Sequence, residues 1–253
     1  MGKHMNSNAA LFAAMCLLPL PLFAQGSDII TMDQEPHHHL TLQNDYVKVF
    51  KVEVSPGDSI VLHRHDQDTI AIAIGDQEVT VGIPGKPDVH QKNADAQVRL
   101  QSGGYVHSTH VDGDTPYHTV AVELLHPQTK YHNVCAVILP GQPRICPEPT
   151  AKRSSSFISQ PLLDSDQTRV RLVRVFPHQA MNLATYSASQ DAPQLIVALD
   201  AASISFGSPK KPEKALRPGD FVWFDAGLRP ERVFQNRSGT AARYIEILFP
   251  HRP

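Results

Sequence analysis

The same strand pattern occurs twice in this sequence. VKVFKVEVSP (Val47–Pro56) and TRVRLVRVFP (Thr168–Pro177) lie 121 residues apart, and both alternate apolar and polar residues before stopping at a proline. Strict alternation has the two-residue period of a half-buried strand. Each copy is followed by a strongly apolar run, TIAIAIG (Thr69–Gly75) and QLIVALD (Gln194–Asp200). A Lys-Pro turn comes next, GKPD at Gly85 and KKPE at Lys210. A strand ending in proline closes each copy, VAVELLHP (Val120–Pro127) and YIEILFP (Tyr244–Pro250). Short strands with turn residues between them describe an all-β barrel or sandwich, and two copies describe a tandem duplication. The 253 residues accommodate two such units. The expected boundaries are an N-terminal barrel over 26–139, a Pro/Ser-rich linker over 140–162 and a C-terminal barrel over 163–253.

Residues 1–25 read as an export signal. Lys3 gives a positive start, and LFAAMCLLPLPLF (Leu11–Phe23) is apolar, too short to span a bilayer and broken by Pro19 and Pro21. Ala24 supplies a small residue before a cut, so the mature chain is expected to begin near Gln25 and to be periplasmic or secreted, with no membrane contact after signal removal. Loss of Cys16 leaves Cys135 and Cys146, and an even number of cysteines in an exported chain favours a disulfide between them. A net charge of −2 gives no basic excess for phosphates, which argues against nucleic acid as a partner.

Eleven of the 14 histidines fall between residues 37 and 132. In PGDSIVLHRHDQDTIAIAIGD (Pro56–Asp76), His63 and His65 are two apart, so both imidazoles of a strand enter one barrel interior. In SGGYVHSTHVDGDTP (Ser102–Pro116), His107 follows Gly104 and brings a third imidazole on another strand. Here the chain resembles the cupin superfamily of double-stranded β-helix (jelly-roll) barrels. Gly57, His63 and His65 match that family's first motif, and Gly104 and His107 its second, with Val111 where an Asn is usual. The resemblance covers nearly all of 40–250 as two tandem cupin barrels and implies a metal site built from His63, His65 and His107.

One position departs from the pattern. Four residues after His65, where the family places a Glu ligand, stands Thr69. The nearest carboxylate, Asp68, has the wrong parity for the interior unless a bulge turns it in. A three-His site with open positions is therefore expected first, and a three-His, one-carboxylate site with Asp68 second. Such a site takes one divalent transition metal among Fe, Mn, Ni, Cu and Zn. His110 is expected as a turn residue that could line the mouth, Tyr105 and Glu123 as neighbours of the ligands, and His37–His39 as a surface stretch.

The second copy places Ala184, Tyr186 and Arg232 where the first has ligands, while keeping Trp223 and Asn236. Arg cannot coordinate a cation. The second barrel is therefore expected to be metal-free and to bury a face of the first, within the chain or in a homodimer. A small-molecule ligand or substrate is the expected partner. The readings are a metal-dependent oxygenase, a non-catalytic small-ligand-binding cupin, and a cupin-type isomerase or epimerase. For the export signal, mass spectrometry of exported material should give a chain starting near Gln25; an intact Met1 would contradict it.

Overall fold

The structure is a computed structural model that describes Met1 and residues 29–138, 151–183, 192–206, 213–227 and 232–250. The expected signal at 1–25, apart from Met1, lies outside the described residues, as do Cys146, Ala184 and Tyr186. The described chain is built from short strands in four sheets, two per copy of the repeat. No helix among the described residues is long and apolar enough to cross a membrane.

The first barrel faces two five-stranded sheets against each other. One runs in the order Ile30–Thr31, Ser59–His65, Tyr105–Val111, Gln77–Gly82, Val89–Asn93. The other runs in the order His38–Gln43, Val47–Val54, Tyr117–Leu124, Thr69–Ala73, Val98–Gln101. The second barrel repeats this topology. Arg169–Val175, Ala242–Leu248, Gln194–Ala198 and Phe221–Phe224 follow one another in one sheet, and Ala180–Asn182, Arg232–Gln235, Ala202–Phe206 and Lys214–Leu216 in the other. The repeated sequence runs therefore occupy matching places, and the fold is all-β with two barrels.

The stretch expected as a linker carries strands of its own. Lys152–Arg153 pairs with Phe157–Ser165, and the latter crosses the expected boundary at 162. Tyr131–Asn133, placed by sequence in the first barrel, pairs with the same strand of the second. The physical reason is edge pairing: the large sheet offers unpaired N–H and C=O groups, and the connecting chain supplies partners for them.

The two halves share one apolar layer. Val47, Val49, Ile70, Ile72, Val120, Val122, Val98 and Leu100 of the first barrel pack in a single cluster with Val170, Leu195, Val197, Ile245 and Ile247 of the second. The inner faces form separate cores, around Phe50, Val52 and Ile60 in the first and around Phe234, Tyr244 and Ile196 in the second. Thr69–Ala73 and Gln194–Ala198 are consequently buried along their whole length, which is why both read as continuous apolar runs. Trp223 closes the seam, with its ring 5.8 Å from Tyr46 and 5.4 Å from Phe249. At the rim, Lys51 meets Asp220 at 2.9 Å, and Arg243 joins Asp95 at 2.7 Å to its own Asp200 at 2.8 Å. The face of the first barrel expected to need cover is thus covered within the chain.

Ile70→Ala, a fully buried position in this layer, should cost about 2–5 kcal/mol of unfolding free energy. A chain ending at Gln160 uncovers the layer and should aggregate. A soluble, folded N-terminal half would contradict this account.

Candidate metal centre

The strand Ser59–His65 carries the first two imidazoles, and a bulge decides where they point. Ile60 pairs with Thr109 and His63 with His107, so three steps on one strand match two on the other. Simple alternation from buried Ile60 would turn Leu62 and Arg64 inward. The extra residue shifts the phase: Arg64 is exposed, while His63 and His65 are 0% and 3% exposed. His107, directly opposite His63, is 8% exposed. The turn leading into its strand is held by Gly104, whose φ of +82° suits glycine and whose N–H donates to His65 O at 2.7 Å.

The three rings converge through their Nε2 atoms. His65 Nε2 lies 3.1 Å from His63 Nε2 and 2.9 Å from His107 Nε2. Each Nδ1 faces an oxygen on the other side. His63 Nδ1 donates to Val61 O at 2.9 Å, a carbonyl that can only accept and that the bulge supplies. Thr69 donates its hydroxyl proton to Gln67 O, leaving its oxygen to accept from His65 Nδ1 at 3.2 Å. His107 Nδ1 has Thr109 Oγ1 at 3.3 Å. The Val61 carbonyl and the Thr69 oxygen fix the Nδ1–H tautomer of His63 and His65, and the Thr109 oxygen is able to accept from His107 in the same way, an arrangement that turns the three Nε2 atoms toward one another. With no proton between them the lone pairs repel, and a cation among them removes the conflict. Tetrahedral zinc with Zn–N of about 2.0–2.1 Å sets its nitrogens about 3.3 Å apart, close to what the rings already hold. The donor set therefore fits a divalent transition metal.

Burial keeps these imidazoles neutral. Desolvation, with the neighbouring histidines, lowers His63, brings His65 to about 3 and holds His107 well below its ordinary value. A metal then need not displace protons from them near neutrality.

Of the other residues singled out in the sequence, Thr69 is fully buried and serves as the acceptor for His65. Asp68 is directed elsewhere: its carboxylate accepts from the N–H of Gly103 at 2.9 Å and of Gln128 at 3.2 Å. His110 is exposed and bonds Ser59 Oγ at 2.9 Å. The Tyr105 ring stands 4.8 Å from that of His107, and Glu123 lies on the interior face opposite Thr69 with Lys48 at 3.7 Å. His63, His65 and His107 are the group of metal-binding side chains that converges among the described residues.

The surface reading of His37–His39 needs correction at His38. It is buried in the strand His38–Gln43, with its ring 4.8 Å from that of His63. Glu35, 1% exposed, explains this. Its carboxylate accepts from His38 Nδ1 at 2.8 Å, from the His37 N–H at 2.8 Å, and from the N–H of Val61 within the bulge at 3.3 Å. Burial alone would raise this carboxyl, but the hydrogen bonds from His38 and His37 outweigh it and bring it to about 2. Sequence reasoning missed Glu35, whose one available signal was an acid two residues before a run of histidines.

In the second barrel, Arg232 is buried with its guanidinium carbon 3.9 Å from the Phe224 ring centroid. Asn236 donates to the carbonyls of Val175, Phe176 and Thr240, which explains its retention as a turn clamp.

No protein-family model matches this sequence, and no curated protein does. Solved structures do. AerE from Microcystis aeruginosa aligns with TM-score 0.53 at 10% identity, over 85% of this chain and 98% of that one. A salicylate 1,2-dioxygenase from Pseudoaminobacter salicylatoxidans aligns with TM-score 0.54 at 11% identity, over 83% and 76%. A variant of it in complex with gentisate gives TM-score 0.56 at 10% identity, over 85% and 75%. At such identities the likeness is one of fold, and the fold is that of the cupins.

His63→Ala combined with His107→Ala should abolish metal retention, and His110→Ala should leave it unchanged. Thr69→Val, which keeps the volume but removes the acceptor for His65, should weaken metal affinity about 10–100-fold. Metal analysis and chelator competition read all three. Unchanged metal content in the double variant would exclude the site.

Proposed function

We propose that this protein is an exported, metal-dependent enzyme of the cupin fold, an oxygenase acting on a small organic molecule. The observation that carries the reading is the convergence of three Nε2 lone pairs, each aimed by a partner on Nδ1. A redox-active divalent ion held by His63, His65 and His107 would supply coordination positions for dioxygen and for a substrate with two donor atoms. The chain's own residues do the rest. Val61 O, Thr69 and Thr109 hold the rings in orientation. Burial excludes water from them, and Glu35 ties the N-terminal segment to the bulge that presents His63. The dioxygenase among the structures of similar fold, with its gentisate complex, supports a small-molecule substrate.

The second barrel's share is structural in this reading: Arg232, stacked on Phe224, stands where a third ligand would be, giving one metal per chain. Cleavage near Gln25, a periplasmic or secreted location and a Cys135–Cys146 bridge belong to the same proposal. A bridge across so short a loop contributes roughly 2–3 kcal/mol in the chain-entropy model.

Purified protein should carry one transition metal per chain and consume dioxygen with at least one member of a panel of hydroxybenzoates, catechols, diketones and thiols. Bound metal without dioxygen uptake across the panel would replace the enzyme with a ligand-binding protein. Absence of metal after loading would remove the proposal altogether.

A further inference from the structure

Arg99 occupies an unusual place. On the paired strands, Thr69 lies opposite Gln101, Ile70 opposite Leu100, Ala71 opposite Arg99 and Ile72 opposite Val98. Directly opposed residues of an antiparallel pair share a face. Ile70, Ile72, Val98 and Leu100 fill the layer between the barrels. Thr69 reaches His65 in the interior. Ala71, Gln101 and Arg99 therefore face the interior with Thr69. The next position along Arg99's row is Ala121, opposite Ala71, so the inner wall beside Arg99 carries two small side chains in succession.

This cation is half-buried, yet no carboxylate among the described residues pairs with it. The interior acids are engaged elsewhere: Glu35 by His37 and His38, Glu123 by Lys48. The other arginine of the first barrel, Arg64, is exposed and paired with Asp66 at 2.6 Å. Arg99 thus shares the inner wall with Thr69, whose hydroxyl oxygen faces His65 of the triad. A partly desolvated guanidinium without a counter-ion is costly to keep unless a ligand supplies one. Its planar fork matches a carboxylate in particular.

We propose that Arg99 is the substrate-recognition residue of the site and that the substrate class is a small organic carboxylate, its acid group on Arg99 and a second oxygen donor turned to the histidine triad. This rests on the metal-centre reading for the second donor but not for the first. Tyr105, stacked beside His107, offers an aromatic wall for a planar ligand body.

The test is calorimetric titration of zinc-loaded and metal-free protein with salicylate and with salicylamide, which share ring and hydroxyl but differ in charge. Wild type should bind salicylate and discriminate against the amide. Arg99→Gln should weaken salicylate about 10–100-fold and the amide little, with zinc content unchanged, and Arg99→Lys should recover part of the loss. Equal salicylate affinity in wild type and Arg99→Gln, or no salicylate binding by wild type, would overturn the proposal. Arg99-dependent salicylate binding by a protein that holds no zinc would sink the metal reading and leave this one standing. Zinc held with no effect of Arg99 would do the reverse.

Discussion

Two strands buried on both faces, Thr69–Ala73 and Gln194–Ala198, are the constraint on which the molecule is built. Each must satisfy a barrel interior on one side and the shared apolar layer on the other. Their outward positions are branched aliphatics, Ile70 and Ile72 in one and Leu195 and Val197 in the other. Their inward positions are free to differ. In the first barrel they are Thr69, Ala71 and Ala73; in the second, Gln194, Ile196 and Ala198. The same wall thus supports a histidine centre in one half and a packed interior in the other, because the outward residues fix the strand's place and leave the inner side to specialise.

The centre works by pre-arrangement of neutral donors. Three imidazoles 0–8% exposed would be costly if charged, and burial holds them neutral. The Val61 carbonyl and Thr69 assign the protons of His63 and His65 to Nδ1, and Thr109 faces Nδ1 of His107, so that each Nε2 is left facing inward. A threonine stands where the resemblance to the cupins implies a carboxylate ligand. That hydroxyl is neutral and steers His65, so an ion held by the triad would meet no negative charge from this position. Charge balance then falls to whatever ligand enters, and Arg99 adds to the positive side of that balance.

Much of this was legible beforehand, for physical reasons. Alternation within Val47–Pro56 and Thr168–Pro177 marked strands because successive residues point to opposite faces, and their apolar residues divide between the shared layer (Val47, Val49, Val170) and the inner cores (Phe50, Val52, Val173, Val175). The His63, His65 and His107 set was legible because strand geometry permits few ways to bring three imidazoles together. What escaped was non-local. Glu35 and His38 come from an N-terminal strand whose neighbours are chosen by tertiary pairing, so their burial leaves no pattern in HHH. Strands Tyr131–Asn133 and Phe157–Ser165 lie in or beside Pro- and Ser-rich chain, and become strands because a sheet edge was available. The bulge at Val61–Leu62 was also hidden. SIVLHRH looks regular, and its broken phase appears only against the partner strand.

That bulge has a consequence for how such proteins can change over time. At its present length, a regular strand running from Ile60 would turn Leu62 and Arg64 in and offer the histidines to water, and the bulge is what puts His63 and His65 inside. Loss of Val61 or Leu62 would regularise the strand with His63 and His65 still facing in, and would take away the offset that sets Val61 O against His63 Nδ1 and the Val61 N–H against Glu35. The three imidazoles and the backbone oxygen that orients one of them can thus be lost separately, and a histidine count alone does not show whether that oxygen is in place.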